Sequence, residues 1–343
     1  MPEIRPFKAL RYGPEAGSLK DLVAPPYDVI SPQERLEYLE RSPYNVVHLT
    51  LPDSEEEAAR DFAAWRADGI LAEEEPAVWW VSQDYTGPDG IARTREGFAA
   101  SVRVEPYETG AVVPHEKTHA GPKEGRLRLL RATRAQLEPI FLLYDDDPPF
   151  ARPDREPDLD AEEGGVRTRL WRLPGAAPQL DVPLLIADGH HRYETAVDFA
   201  QEDPSAAYTF AVLVSSRAPG LVIFPTHRLV RGASKLEGEE LPDLPDPLPG
   251  PVLYRGGRYF RLAADDDLDA QAVADMGVEI TGYAPVASEA IKAVDGGEAE
   301  AAILIRPASV EEVARRAAAG GVMPQKTTFF YPKLLSGMLF HPV

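Results

Sequence analysis

The sequence predicts a mixed α+β protein. Two observations carry this: short apolar runs bounded by proline or glycine read as strands, and the stretches between them place apolar residues at helical spacing. The chain has 343 residues, which allows about two domains, each with a core of its own.

Taken in order, Ser54–Ala67 opens on a capping serine with Glu57 three residues later, then shows a helical period. Val78–Gln83 and Gly97–Val104 read as strands around the turn-forming TGPDG. Arg126–Gln136 reads as a basic helix, and Pro139–Tyr144 and Pro183–Ala187 as buried strands. Tyr193–Gln201 continues as a helix, followed by strands at Tyr208–Ser215 and Gly220–Phe224. Further on come a Gly-Gly hairpin (VLYRGGRYFRL), a helix near Asp269–Met276, a strand at Ala301–Ile305 and a helix at Ser309–Ala319. Two acidic, proline-bearing stretches, Asp145–Gly165 and Gly232–Pro251, carry no hydrophobic period and are expected to be exposed connections. They divide the chain into regions 1–144, 166–231 and 252–343. Residues 166–231 are expected to continue the first domain, and segment 322–337 is expected to return to its site.

The formal charge of −20 argues against nucleic-acid or anionic-membrane partners, which need a broad basic face. The absence of cysteine excludes disulfides, thiolate metal sites and cysteine nucleophiles. No run approaches the ~20 apolar residues of a membrane span, and the N-terminus lacks a signal-peptide layout. The expectation is a soluble, cytoplasmic protein.

Against that acidic background the basic residues gather locally. Lysine occurs eight times against 28 arginines, and four of the eight lie in two short blocks, HEKTHAGPKEGRLRLL and MPQKTTFFYPKLLSG. His115–Gln136 carries a net +4, and Ala317–Val343 holds two lysines and no acid. Positive islands of this kind suit a small anion such as phosphate or pyrophosphate. An exposed basic helix balancing acidic neighbours is the competing reading.

The sharpest motif is LLIADGHHRYETA, where an apolar strand runs through Asp188-Gly189-His190-His191-Arg192 into a helix. A glycine at such a turn permits close backbone approach, and a helix start offers unpaired N–H groups. His190, His191 and Arg192 add hydrogen-bond donors that suit phosphate oxygens, and His191 is also a catalytic candidate. Asp188 is placed to orient a histidine, bind Mg²⁺ or take a proton. Simple helix capping by Asp188 is the alternative.

A second island, His115-Glu116-Lys117-Thr118-His119, matches the letters of HExxH. The Gly121-Pro122 that follows is expected to end any helix there, against a zinc protease. On a loop, Glu116 is a candidate base or metal carboxylate, Lys117 a phosphate clamp, His115 or His119 a proton carrier, and His115, Thr118 and His119 substrate contacts. Lys123, Arg126, Lys326 and Lys333 complete the candidate phosphate ligands. A third island, APPYDVI followed by SPYNVV, presents Tyr27, Asp28 and Asn45 to a polar substrate, with Asp28 a second candidate base. Packing is the competing role there.

Five blocks, VAPPYDVIS, SPYNVVHL, HEKTHAGPKEGRLRLL, IADGHHRYETA and MPQKTTFFYPKLLSG, occur in the order of the domain-of-unknown-function 1015 proteins. The chain resembles that family over nearly its whole length, departing at Gly125, where the family pattern has an acidic residue. The strand–DGHHR–helix element is also similar to the phosphate-binding turn of the ParB/sulfiredoxin-like superfamily, which includes kinases acting on free serine. That resemblance implies a ParB/sulfiredoxin-like core with additional α+β regions. In it Gly189, His190, His191 and Arg192 hold the donor's phosphates, and Glu116 or Asp28 deprotonates an acceptor hydroxyl. Sulfiredoxin chemistry is excluded by the missing cysteine.

The expected activity is therefore phosphoryl transfer to a small metabolite, free L-serine foremost. The expected donor is pyrophosphate, ADP or ATP, with Mg²⁺ on the phosphates. No Walker-type loop or protein-kinase motif set is present. A metal-dependent phosphohydrolase and a non-catalytic sensor of a phosphorylated ligand are the rival readings.

Overall fold

The computed structural model describes residues 1–116 and 120–343, the side chains of 120–122 excepted. The chain is a mixed α/β protein divided into two compact units. The first comprises residues 1–114, 118–221 and 332–343; the second comprises 115–117 and 222–331. The break thus falls at residue 221, ahead of the proline-rich stretch expected to mark it. Segment 322–337 is itself split, since only its residues from Pro332 onward belong to the first unit.

The first unit is built on a nine-stranded sheet. Its strands are β1 (Ile4–Arg5), β2 (Val78–Thr86), β3 (Ala92–Arg103), β4 (Val112–Val113), β5 (Ile140–Tyr144), β6 (Leu159–Glu163), β7 (Val166–Leu173), β8 (Leu184–Asp188) and β9 (Tyr208–Ser215). The order is β4-β8-β5-β9-β3-β2-β7-β6, with β1 pairing β3. The pairs β4·β8 and β5·β9 are parallel; the other pairings are antiparallel. Every residue of β5 and β9 is buried, as expected for central strands covered on both faces. Ala211 and Leu213 of β9 pack in one cluster with Ile140, Leu184, Tyr193 and Ala196. Phe210 and Val212 line a space on the other side with Leu334, Leu335, Met338 and Leu339. Each such large apolar side chain contributes about 1.5–3 kcal/mol by leaving water.

Four longer helices flank these strands: α1 (Pro32–Arg41), α2 (Glu55–Ala67), α3 (Ala120–Thr133) and α4 (His190–Glu202). Ser31 begins α1 with a reciprocal capping box to Glu34. Ser54 caps α2 as its spacing predicts, its hydroxyl accepting from the Glu57 N–H at 3.2 Å. Phe62 and Trp65 of α2 join a core with Leu10, Leu22, Val46, Leu129 and Phe340.

Three sequence expectations need correction. Helix α3 contains Gly121-Pro122 in its first turn, because a proline there forfeits no intrahelical bond. It ends at Thr133, and Ala135–Gln136 turns into a short strand against His341–Pro342. The stretch 145–165 contains β6, whose alternating Leu159 and Ala161 are buried against β7. Hydrophobic alternation over so few positions is masked by the acids between them.

In the second unit a six-stranded antiparallel sheet contains β10 (His227–Arg231), β11 (Gly238–Leu241), β12 (Val252–Arg255), β13 (Arg258–Leu262), β14 (Glu279–Ala284) and β15 (Ala301–Leu304), in the order β11-β13-β12-β15-β10-β14. Strand β11 falls inside the second expected connection. The Gly256-Gly257 turn joins β12 to β13 with both glycines at positive φ, as the sequence predicts. Three helices accompany the sheet, α5 (Asp269–Asp275), α6 (Ala287–Asp295) and α7 (Val310–Ala318). Ala290 of α6 packs on Val252, Ala302 and Leu304. Among the described residues no helix is long and apolar enough to cross a membrane.

Candidate functional site

The apolar strand β8 ends on a carboxylate because its register breaks there. Ile186 pairs with Leu142 of β5, but Asp188 pairs with Phe141, so one extra residue is accommodated between them. Such a bulge re-aims the side chain that follows it. Gly189 then takes φ +93°, a conformation in which an L side chain is strained, and caps α4. A methyl group there would stand 3.1 Å from the Arg192 guanidinium. The glycine therefore leaves room for Arg192 to fold back over the turn.

Arg192 uses that room. Its Nη2 donates to Asp188 Oδ2 at 2.7 Å, and its Nη1 donates to the carbonyl of Pro139 at the mouth of β5. The other Asp188 oxygen receives the ammonium of Lys333. Burial by itself would push the Asp188 carboxyl up. The Lys333 ammonium and the Arg192 guanidinium, with a smaller contribution from His190, outweigh it and hold the group well below the usual carboxylate range. Arg192, itself buried, is held above its ordinary value because Asp188 and Glu138 outweigh its desolvation.

Beside this pair lies a cation that, among the described residues, has no carboxylate bound to it. Arg95 is 1% exposed and stacks on Phe141 at 4.5 Å. Its Nε donates to Gln83 Oε1 at 3.2 Å and its Nη2 to the Pro332 carbonyl at 2.6 Å. Among the described residues its buried Nη1 has no partner. Burial lowers it to about 10. Gln83 also donates to the Lys333 carbonyl at 3.3 Å, so one amide braces both cations. Glu138 stands just before Pro139, its Oε1 accepting from the Tyr27 N–H at 3.0 Å and the Ser336 hydroxyl at 2.9 Å. Arg95, Arg192 and Lys333 thus gather around Asp188 and Glu138, with Asp28 also acting on Arg192, and among the described residues Arg95 is bound by no carboxylate. In a low-dielectric setting a cation without a bound carboxylate favours an anion.

The structure brings together Asp188, Gly189, His190, Arg192 and Lys333 from the sequence candidates. Tyr27 adjoins them through Glu138, and Arg126 lies over the Tyr27 ring at 4.0 Å. Asp28 is exposed on the same turn and acts electrostatically on Arg192. His191 follows His190 in the first turn of α4, its carbonyl accepting from Thr195. Other candidates stand elsewhere. Lys123 pairs with Asp198 at 2.9 Å on the face of α4. Asn45 is fully buried, its amide donating to the Asp21 carbonyl at 2.8 Å and its oxygen accepting from Val47 N at 3.0 Å. Those contacts give it the packing role.

In the second unit His115 is buried with Nε2 2.8 Å from Thr328 Oγ1, and Glu116 bridges to Met323. Lys326 is exposed there, its carbonyl accepting from Arg228. Lys117, Thr118 and His119 lie outside the described residues. Arg95, Gln83 and Glu138 escaped the sequence reading. Only Glu138 left a trace, as a lone charge immediately before an all-apolar strand.

Asp188 does not suit the Mg²⁺ role considered for it, because both of its oxygens are bound to cations. Among the described residues no three His, Asp or Glu side chains converge on a metal position.

The fold and this cluster define an α/β protein with a buried, cation-rich strand-to-helix turn. The chain belongs to the DUF1015 family, described as a protein of unknown function, whose model matches residues 4–245. No curated protein matches it. Among solved structures it is similar to a free serine kinase in complex with AMP, at 16% identity and a TM-score of 0.41, over 64% of this chain and 83% of that one. A conserved hypothetical protein from Pyrococcus furiosus matches at 17% identity and a TM-score of 0.39, covering 64% and 87%. C-terminally truncated SbnI from Staphylococcus aureus matches at 11% and 0.39, covering 68% and 85%.

Proposed function

We propose that the protein transfers a phosphoryl group from a nucleotide or pyrophosphate to the hydroxyl of a small metabolite, with free L-serine as acceptor. The observation that carries this reading is the Asp188–Arg192–Lys333 cluster at the start of α4, with Arg95 buried beside it. Phosphoryl transfer asks little covalent chemistry of a protein; it asks for positioning and for positive charge around the phosphate oxygens. The cluster supplies both. The start of α4 adds the positive end of a helix dipole, which favours an anion there. Resemblance of the DGHHR turn to that of free-serine kinases supports the choice of acceptor.

Within this reading Asp188, held ionised, keeps the two cations in place until phosphate oxygens take over part of their bonding. It is too weak a base to remove a hydroxyl proton near neutral pH. Asp28 is assigned that proton, with Glu116 the other carboxylate offered and His191 a carrier. The acceptor oxygen forms its bond to phosphorus as the bridging P–O bond of the donor breaks. The leaving group is ADP, AMP or orthophosphate for ATP, ADP or pyrophosphate respectively. Mg²⁺, where used, travels on the donor's oxygens.

Phosphorus NMR with L-serine and each donor in turn, with and without Mg²⁺, tests the reading. A phosphomonoester signal from one donor is expected. Orthophosphate without ester, or unchanged donors, would overturn it in favour of hydrolysis or of ligand sensing.

A further inference from the structure

Beside Arg192 the first unit contains a recess of about 40 Å³, partly open to solvent. Its walls include Leu130 and Leu137, and its polar residues are Arg126, Gln136, Glu138, Arg192 and Thr195. Gln136 is 7% exposed, and among the described residues its buried Nε2 donates to nothing. A buried amide donor left unmade costs about 1–3 kcal/mol, so its persistence asks for a partner. Among the described residues Arg126 donates from Nη1 alone, to the Thr50 carbonyl at 2.8 Å. The two hydrogen bonds to Glu138 both fall on Oε1.

We infer that this recess is a binding site for a short carboxylate bearing a hydroxyl or ammonium beside it. The carboxylate would take the Gln136 amide together with a guanidinium, and the neighbouring donor would face Glu138 Oε2. Arg126, which among the described residues binds no carboxylate, sets the sign of the ligand. The recess has room for about three waters, so only the carboxylate end of the ligand enters it. The inference rests on the phosphoryl-transfer reading only in making this ligand the acceptor's carboxylate end; binding itself needs no donor.

The test is titration of the whole protein with glycolate, L-lactate, glycine and L-serine, followed by the side-chain amide signal of Gln136 in nitrogen-15 NMR. Saturable binding that shifts this signal is expected. Gln136→Leu should weaken it about tenfold, the value of one such bond. Gln136→Glu, of nearly the same shape but repelling an anion, should abolish it, and thermal melting reports whether either variant is folded. No saturable binding by any of the four, or binding untouched in folded Gln136→Glu, would overturn the inference. Binding of ADP or pyrophosphate, measured in the same samples, reports separately on the phosphate site.

Discussion

Lys333 and Asp188 stand 145 residues apart in the chain, yet the ammonium of one rests on the carboxylate of the other. Asp188 also grips Arg192 four residues along, so a single acid tethers two cations from distant segments. Removing either end should have different consequences. Asp188→Asn leaves two largely buried cations without their counter-ion and should cost about 3 kcal/mol of stability in denaturant titrations. Lys333→Met keeps one ion pair and should mainly slow phosphoester formation, by about a hundredfold, in the phosphorus NMR assay.

Arg95 is expected to behave oppositely. Its replacement by Met removes a buried cation that no carboxylate binds and leaves a long apolar side chain against Phe141. Stability measured by melting should change by less than about 1 kcal/mol. Affinity for pyrophosphate or nucleotide should fall about tenfold in calorimetry, because the surplus charge is gone.

Gly189→Ala is a test of backbone and side chain together. The positive φ costs about 1–2 kcal/mol for an L residue, and the added methyl presses on Arg192. Both a lower melting temperature and weaker donor binding should appear. Melting that remains unchanged would show that the turn does not need its glycine.

Acidification should act through His227 in the second unit. Its Nδ1 accepts from the Ile305 N–H at 3.1 Å, and burial, aided by the Arg228 guanidinium, depresses it to about 4. A group depressed from about 6.5 binds fewer protons folded than unfolded. Its neutral form therefore costs nothing above the ordinary value, and stability is lost as pH falls from there toward 4, at up to about 1.4 kcal/mol per pH unit. Asp188 shares the sign but acts lower, below about pH 4. His227→Gln, which keeps an acceptor, should remove about half of the loss above pH 4 in pH-dependent denaturation, the rest coming from His341, which burial likewise depresses to about 4.

Asn45→Ala should cost about 1–3 kcal/mol, from two buried backbone partners left unmet. The acceptor KM of the surviving folded protein should stay within about twofold. A large KM change at unchanged stability would restore the substrate role that the sequence suggests.

The strands and helices built on long apolar runs, such as β9 and α2, were legible because one period dominates each. Strands β6 and β11 were not, since their inward positions are few and sit among acids. The turn from β8 into α4 was legible from Asp188 to Arg192 because its residues are adjacent. Arg95 was hidden because an arginine in an alternating strand looks solvent-facing, and only the arrival of Pro332 and Gln83 buries it. Asn45 misled for the reverse reason: a polar residue in a proline loop looks available, whereas the backbone around it consumes every bond it can make.

The interruption of the first unit by residues 222–331 sets a timetable for synthesis. When the ribosome has made β8 and α4, the acid and its arginine exist, but the lysine lies more than a hundred codons ahead. During that interval Asp188 has one counter-ion and the Arg95 guanidinium lacks the carbonyl it will bind at Pro332. Translation must pass Lys333 before the cluster is whole, so a nascent or truncated chain ending earlier carries the DGHHR segment without the second cation that Asp188 binds.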